Sequence, residues 1–121
     1  MKLLKVILLS LFSCCALAQT DVNCDKIEKN SSIIAVEFWA SWNEVNCVKF
    51  MDKIKDCTTY RVDVEQYDTC MSDFEINSLP TLIIFDRGKE IFRWEADISF
   101  KLEIDRESVQ KKVDELLLDK F

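Results

Sequence analysis

The sequence contains no histidine, one glycine and one proline among its 121 residues. Without histidine there is no Ser-His-Asp triad, no Cys-His pair and no imidazole-ligated metal site. The one glycine, Gly88, cannot build a glycine-rich phosphate loop, which excludes nucleotide enzymes of the common motif types. Positive charge is also scarce: 16 Lys and Arg against 22 Asp and Glu give a formal net charge of −6. That balance argues against a binder of phosphate backbones, which needs clustered cations. No nucleic-acid partner, metal or cofactor is therefore expected. What is present, 49% hydrophobic and 31% charged residues, is a globular composition of a length that fits one domain.

The N-terminus has its own grammar. Lys2 and Lys5 flank the start of an apolar run, Val6–Leu9 with Leu11 and Phe12, and Ala16-Leu17-Ala18 is a small-residue cleavage site. This pattern predicts a secretory signal peptide over residues 1–18, cut before Gln19, and a domain over 19–121. A membrane anchor is the alternative, but the run falls short of the ~20 residues that a spanning helix needs. A lipoprotein acylated at Cys14 is another, and Phe12 ahead of Ser13-Cys14 fits it poorly. The expected location is the secretory pathway, outside the cell or in a periplasm, with no membrane span in the mature chain. Four cysteines then remain, Cys24, Cys47, Cys57 and Cys70, and an exported domain permits disulfides. Four cysteines allow three full pairings, and the sequence alone does not choose among them. Asn30-Ser31-Ser32 is a glycosylation sequon that matters if the cell is eukaryotic.

Strands and helices alternate along the rest. Cys24–Asn30 is short and mildly helical. Ile33–Ala40 is a near-continuous apolar run, as expected of a strand covered on both faces. Cys47, Phe50, Met51 and Ile54 stand at i, i+3, i+4 and i+7 and predict an amphipathic helix. Tyr60–Val64 alternates as a strand, and Glu65–Ile76 contains a short helix. Thr81–Phe85 is a second buried strand. Asp86-Arg87-Gly88-Lys89 is a hairpin turn leading to a paired strand over Glu90–Trp94. The segment Ala96–Leu102 reads as a linker with exposed-looking Ile98 and Phe100. Val109, Val113, Leu116 and Leu117 mark a final helix over Asp105–Lys120. Strands joined through helices pair in parallel and the hairpin adds an antiparallel edge, so the class is α/β.

This order resembles the thioredoxin family. Val36-Glu37-Phe38-Trp39-Ala40-Ser41-Trp42 looks like the strand that enters the family's active site, and Leu79-Pro80-Thr81 looks like its cis-proline turn. The resemblance implies a thioredoxin fold, a central mixed sheet of about four strands with helices on both faces. It also exposes a departure. The family's motif is Trp-Cys-x-x-Cys, and here Asn43 and Asn46 follow Trp42 at the two cysteine positions. An amide cannot attack a disulfide, because exchange requires a thiolate.

Several site residues follow from the resemblance. Cys47, one place beyond the second position, is the candidate thiol: a helix N-terminus would lower its pKa, whereas the apolar stripe would bury it and leave it inert. Glu37 matches the family's buried acid, with pairing to Lys49 or Lys53 as the plain structural alternative. Trp42, Leu79, Pro80 and Thr81 would line a peptide groove. In this fold the helices that hold Cys24 and Cys70 share a sheet face, so a Cys24–Cys70 bridge becomes a candidate that would leave Cys57 free or paired with another chain. Two functions are then expected: a redox-inactive module that binds polypeptide or assists folding, or a monothiol exchange protein that uses Cys47 on a thiol-bearing partner.

Overall fold

The computed structural model describes residues 20, 21 and 23–120. The signal-peptide reading of residues 1–18 lies outside the described residues. Five strands, β1 (Thr20–Asp21), β2 (Ile33–Trp39), β3 (Thr58–Asp63), β4 (Thr81–Asp86) and β5 (Lys89–Glu95), form one sheet in the order β1-β3-β2-β4-β5. β1 and β2 run parallel to β3, and β4 is antiparallel to both β2 and β5. The two-residue β1 extends the sheet beyond the four strands read from the sequence. It is too short to show a two-residue alternation, which is the signal by which a strand is recognised.

The central strands are buried on both faces because β2 and β4 carry apolar residues at nearly every position. On one face Ile34, Val36 and Phe38 of β2 meet Ile83 and Phe85 of β4, together with Ile27 of α1 (Cys24–Glu28) and Cys70 of α2 (Thr69–Asp73). On the other, Ile33, Ala35, Leu82 and Ile84 meet Val109 and Val113 of α3 (Arg106–Leu118). α3 starts where the Asp105 carboxylate accepts from the Ser108 N–H at 2.8 Å, an N-cap that satisfies one of the free donors of the first turn. A disulfide joins Cys24 to Cys70 across α1 and α2, with their Cα atoms 5.6 Å apart.

The β4–β5 hairpin turns through Arg87 (φ 55°) and Gly88 (φ 78°). Two successive left-handed residues match the right-handed twist of the strands they join. A Cβ at position 88 would run into the main-chain carbonyl of Glu28, so glycine is required for space as well as for φ.

The amphipathic helix expected from Cys47 to Ile54 is not formed. The chain makes two short 3-10 segments instead, Ser41–Asn46 and Met51–Lys53, and Cys47 between them is extended (φ −62°, ψ 155°). In an α-helix the Val48 N–H would bond the Glu44 carbonyl four residues back. Here Cys47 takes that carbonyl at 3.0 Å, and the Val48 N–H bonds the carboxylate of Glu37 at 2.7 Å. Cys47, Val48, Met51 and Ile54 are nonetheless buried. The apolar spacing is met by a chain that crosses the sheet face in two tight turns.

Candidate functional site

The first 3-10 segment begins where β2 ends. Its start is held by Glu65, whose Oε1 accepts from the Ser41 N–H at 3.0 Å and the Ser41 hydroxyl at 2.7 Å. The turn places Trp42 and Val45 outward and Asn43 inward. Trp42 is 58% exposed and Asn43 is buried.

Asn43 is the hub of this end of the molecule. Its Nδ2 donates to the Leu79 carbonyl at 3.2 Å and to the Phe100 carbonyl at 3.0 Å. Its Oδ1 accepts from Asn46 Nδ2 at 2.7 Å. The side-chain amide therefore ties the β2 exit to the residue before Pro80 and to the loop between β5 and α3. The Leu79–Pro80 peptide bond is cis. Thr81 reaches back, its hydroxyl donating to the Ser78 carbonyl at 2.6 Å.

The residues expected to line a groove are distributed unevenly. Leu79, Pro80 and Thr81 are buried, and Trp42 alone of the four presents an open face. Part of that face is covered by Phe100, which meets Trp42 edge-on with ring centroids 5.2 Å apart. An arrangement of this kind contributes about 1 kcal/mol beyond the area it buries. In the sequence Phe100 is only an exposed-looking loop residue, and nothing in its local spacing signals a contact with Trp42.

Cys47 is buried, lies outside any α-helix and is disulfide-bonded. The helix-dipole argument for a lowered pKa therefore falls away. Lys49 Nζ stands 3.2 Å from the Cys47 sulfur. Glu37, fully buried at the middle of β2, accepts the Val48 N–H next to Cys47. Cys57 is the free thiol among the described residues, and burial pushes it up to about 11, helped by the negative charge of Asp56. Asn30 folds its own Oδ1 onto the Ser32 N–H at 2.9 Å, at the opposite end of the sheet from Trp42.

One residue of this face escapes a reading of the sequence. Arg61 on β3 is 1% exposed, lies in register with Glu37, and stacks its guanidinium carbon 3.5 Å from the centre of the Trp39 ring. None of its side-chain nitrogens has a hydrogen-bond partner among the described residues. The alternation of β3 puts Arg61 on the face opposite Val62, and the missing signal is that this face is covered too.

A thioredoxin family model matches residues 16–111. The chain belongs to the thioredoxin family. Thioredoxin H2 of Arabidopsis thaliana is 27% identical over 82 residues, which span 63% of this chain and 62% of the plant protein. Thioredoxin-2 of Saccharomyces cerevisiae is 27% identical over 73 residues, 55% of this chain and 70% of the yeast protein. The match thus covers somewhat under two thirds of the plant relative. Among solved structures, a point mutant of the thioredoxin from Halobacterium salinarum superposes with a TM-score of 0.60 at 15% identity, covering 83% of this chain and 93% of that one. The thioredoxin fold expected from the sequence is the observed one. Among the described residues no helix is long and apolar enough to cross a membrane.

Proposed function

We propose that this chain is an exported thioredoxin-family domain that has given up dithiol exchange and binds polypeptide at its Trp42 end. The observation that carries the reading is the Asn46–Asn43 hydrogen bond of 2.7 Å. The two positions that the family resemblance assigns to cysteines hold amides, and these amides are bonded to each other and to the backbone around Pro80. They have no sulfur to form or break a mixed disulfide, and exchange cannot start without a thiolate. What such a site can still offer is surface. Trp42 and Val45 are exposed apolar side chains of one 3-10 segment, and an exposed apolar surface at the end of a buried strand is suited to an extended peptide.

The experiment is a pair of assays on the mature protein. Insulin reduction coupled to a thioredoxin reductase should stay at the uncatalysed rate. Fluorescence anisotropy of a labelled, unfolded, cysteine-free polypeptide should rise on binding, and Trp42→Ala should abolish that rise. Turnover like that of a dithiol thioredoxin would overturn the reading. The double variant Asn43→Cys with Asn46→Cys should raise reductase activity above wild type.

The monothiol reading has one observation in its favour, the ammonium of Lys49 beside the Cys47 sulfur. A cation at that distance favours the thiolate form of a cysteine. Burial of Cys47 works against it. Alkylation after mild reduction separates the two readings: fast labelling at Cys47, lost in Cys47→Ser, supports the monothiol protein.

A further inference from the structure

The loop between β5 and α3 carries a heavily tied turn. The Asp97 N–H donates to the Lys101 carbonyl, and the Phe100 N–H donates to the Asp97 carbonyl, each at 3.0 Å. The Asp97 carboxylate accepts from the Ser99 N–H at 2.8 Å, the Ser99 hydroxyl at 2.5 Å and the Lys101 N–H at 3.3 Å. This knot holds Phe100 at φ 63°, in the left-handed region that a bulky side chain rarely occupies. The result is directional: the ring of Phe100 lies against Trp42, and its carbonyl faces the Asn43 amide.

The same arrangement uses up the backbone acceptors at the strand end. An extended polypeptide that adds to a sheet does so through main-chain N–H and C=O groups. The Leu79 carbonyl is taken by Asn43 and the Pro80 carbonyl by the Ala96 N–H at 3.1 Å. An incoming chain finds an aromatic side chain already seated on Trp42 and an internal donor already on Leu79.

We propose that residues 97–101 form a strap that occupies the polypeptide site with the protein's own Phe100, so that a partner binds only when the strap lifts. The occupant it excludes is an extended chain that places an apolar side chain on Trp42. This rests on the polypeptide-binding reading and adds its regulation. The strap can lift because its tip is held lightly: Ile98 is wholly exposed and Phe100 is 48% exposed. Segments with few buried contacts open at low cost. Apparent affinity falls by the fraction of molecules in the open state, so loosening the strap strengthens binding.

The test compares the wild type with Asp97→Ala, which undoes the knot but keeps Phe100, Trp42 and Asn43, and with Phe100→Ser. The probe is a fluorescein-labelled, cysteine-free Gly/Ser peptide with a single central Phe. Both variants should bind it about tenfold more tightly than the wild type. In Asp97→Ala the side-chain amide protons of Asn43 should also exchange faster with solvent, a readout independent of any ligand. Weaker binding by Phe100→Ser would make Phe100 part of the binding platform and overturn the strap. Wild-type binding with no gain in either variant would overturn the strap alone. An absence of binding by all three proteins, with faster Asn43 exchange in Asp97→Ala, would overturn the polypeptide reading and the strap's role with it.

Discussion

Asn46 donates a 2.7 Å hydrogen bond to Asn43, and Asn43 passes the connection on to the carbonyls of Leu79 and Phe100. Segments far apart in sequence meet through one buried side-chain amide. A neutral hydrogen bond contributes a net ~1 kcal/mol, but a buried acceptor left without its donor costs about 1–3 kcal/mol. The amide at position 43 is thus worth more for what it prevents than for what it forms.

Asn43→Ala should therefore destabilise the fold by about 2–3 kcal/mol, because two carbonyls lose their donor. Asn46→Ala should cost about 1 kcal/mol or less, because Asn46 is only half-buried. Urea titration of the two variants checks the ranking. Equal costs would mean that Asn43 is not the hub.

The Cys24–Cys70 disulfide closes a loop with a sequence separation of 46. Closing a loop of that size stabilises by about 4 kcal/mol on chain-entropy grounds, with measured cases generally lower. The double variant Cys24→Ser with Cys70→Ser should lose about 2–4 kcal/mol, read by chemical denaturation against the oxidised wild type.

Cys57 should be a slow thiol. Burial moves it from 9.0 to about 11, so the thiolate is scarce at neutral pH. The alkylation rate at Cys57 should reach half its maximum about two pH units later than for a free cysteine. The sign for stability follows. A raised folded-state pKa contributes stability in full below 9.0 and loses it as the pH climbs toward 11. Thermal melts above pH 9 should fall more steeply for wild type than for Cys57→Ala.

At the acid end the direction reverses. The hydrogen bond from Arg93 holds the Glu90 carboxyl below its ordinary range, and bonds from Ser99 and Ser108 do the same for Asp97 and Asp105. Lowered folded-state values give stability that is present above the unfolded carboxyl range, near pH ~4, and is lost as the pH drops through the folded values. With no histidine in the chain, the melting temperature should be flat from about pH 6 to 8 and fall below about pH 4. Arg93→Met should reduce the acid slope.

Gly88→Ala should cost about 2–4 kcal/mol. The added methyl group meets both a left-handed φ and the Glu28 carbonyl oxygen. Gly88→Asn should be just as costly despite tolerating the φ, because the collision with Glu28 is unchanged; a mild Asn variant would show that φ alone sets the cost.

The sequence by itself determined the four longer strands, whereas β1 and the antiparallel placing of β4 against β2, although a helix precedes β4, came only with the fold. Ile33–Trp39 and Thr81–Asp86 are apolar enough to be buried on both faces, and Arg87-Gly88 supplies the turn that reverses the chain from β4 into β5. Those signals are local, carried by alternation, chain length and φ preference, and so they can be read in order along the chain. The segment from Cys47 to Ile54 shows the limit. Its apolar spacing fits a helix, yet Glu37, on the strand beneath it, captures the Val48 N–H that an α-helix would have used. The same holds for Asn43 and for Phe100 on Trp42, whose partners lie far along the chain, and for Arg61, which stacks on Trp39 of the neighbouring strand. A side chain's periodicity fixes which way it faces. Only the packed structure fixes what it meets there, because a buried donor must find its acceptor wherever the chain has folded to provide one.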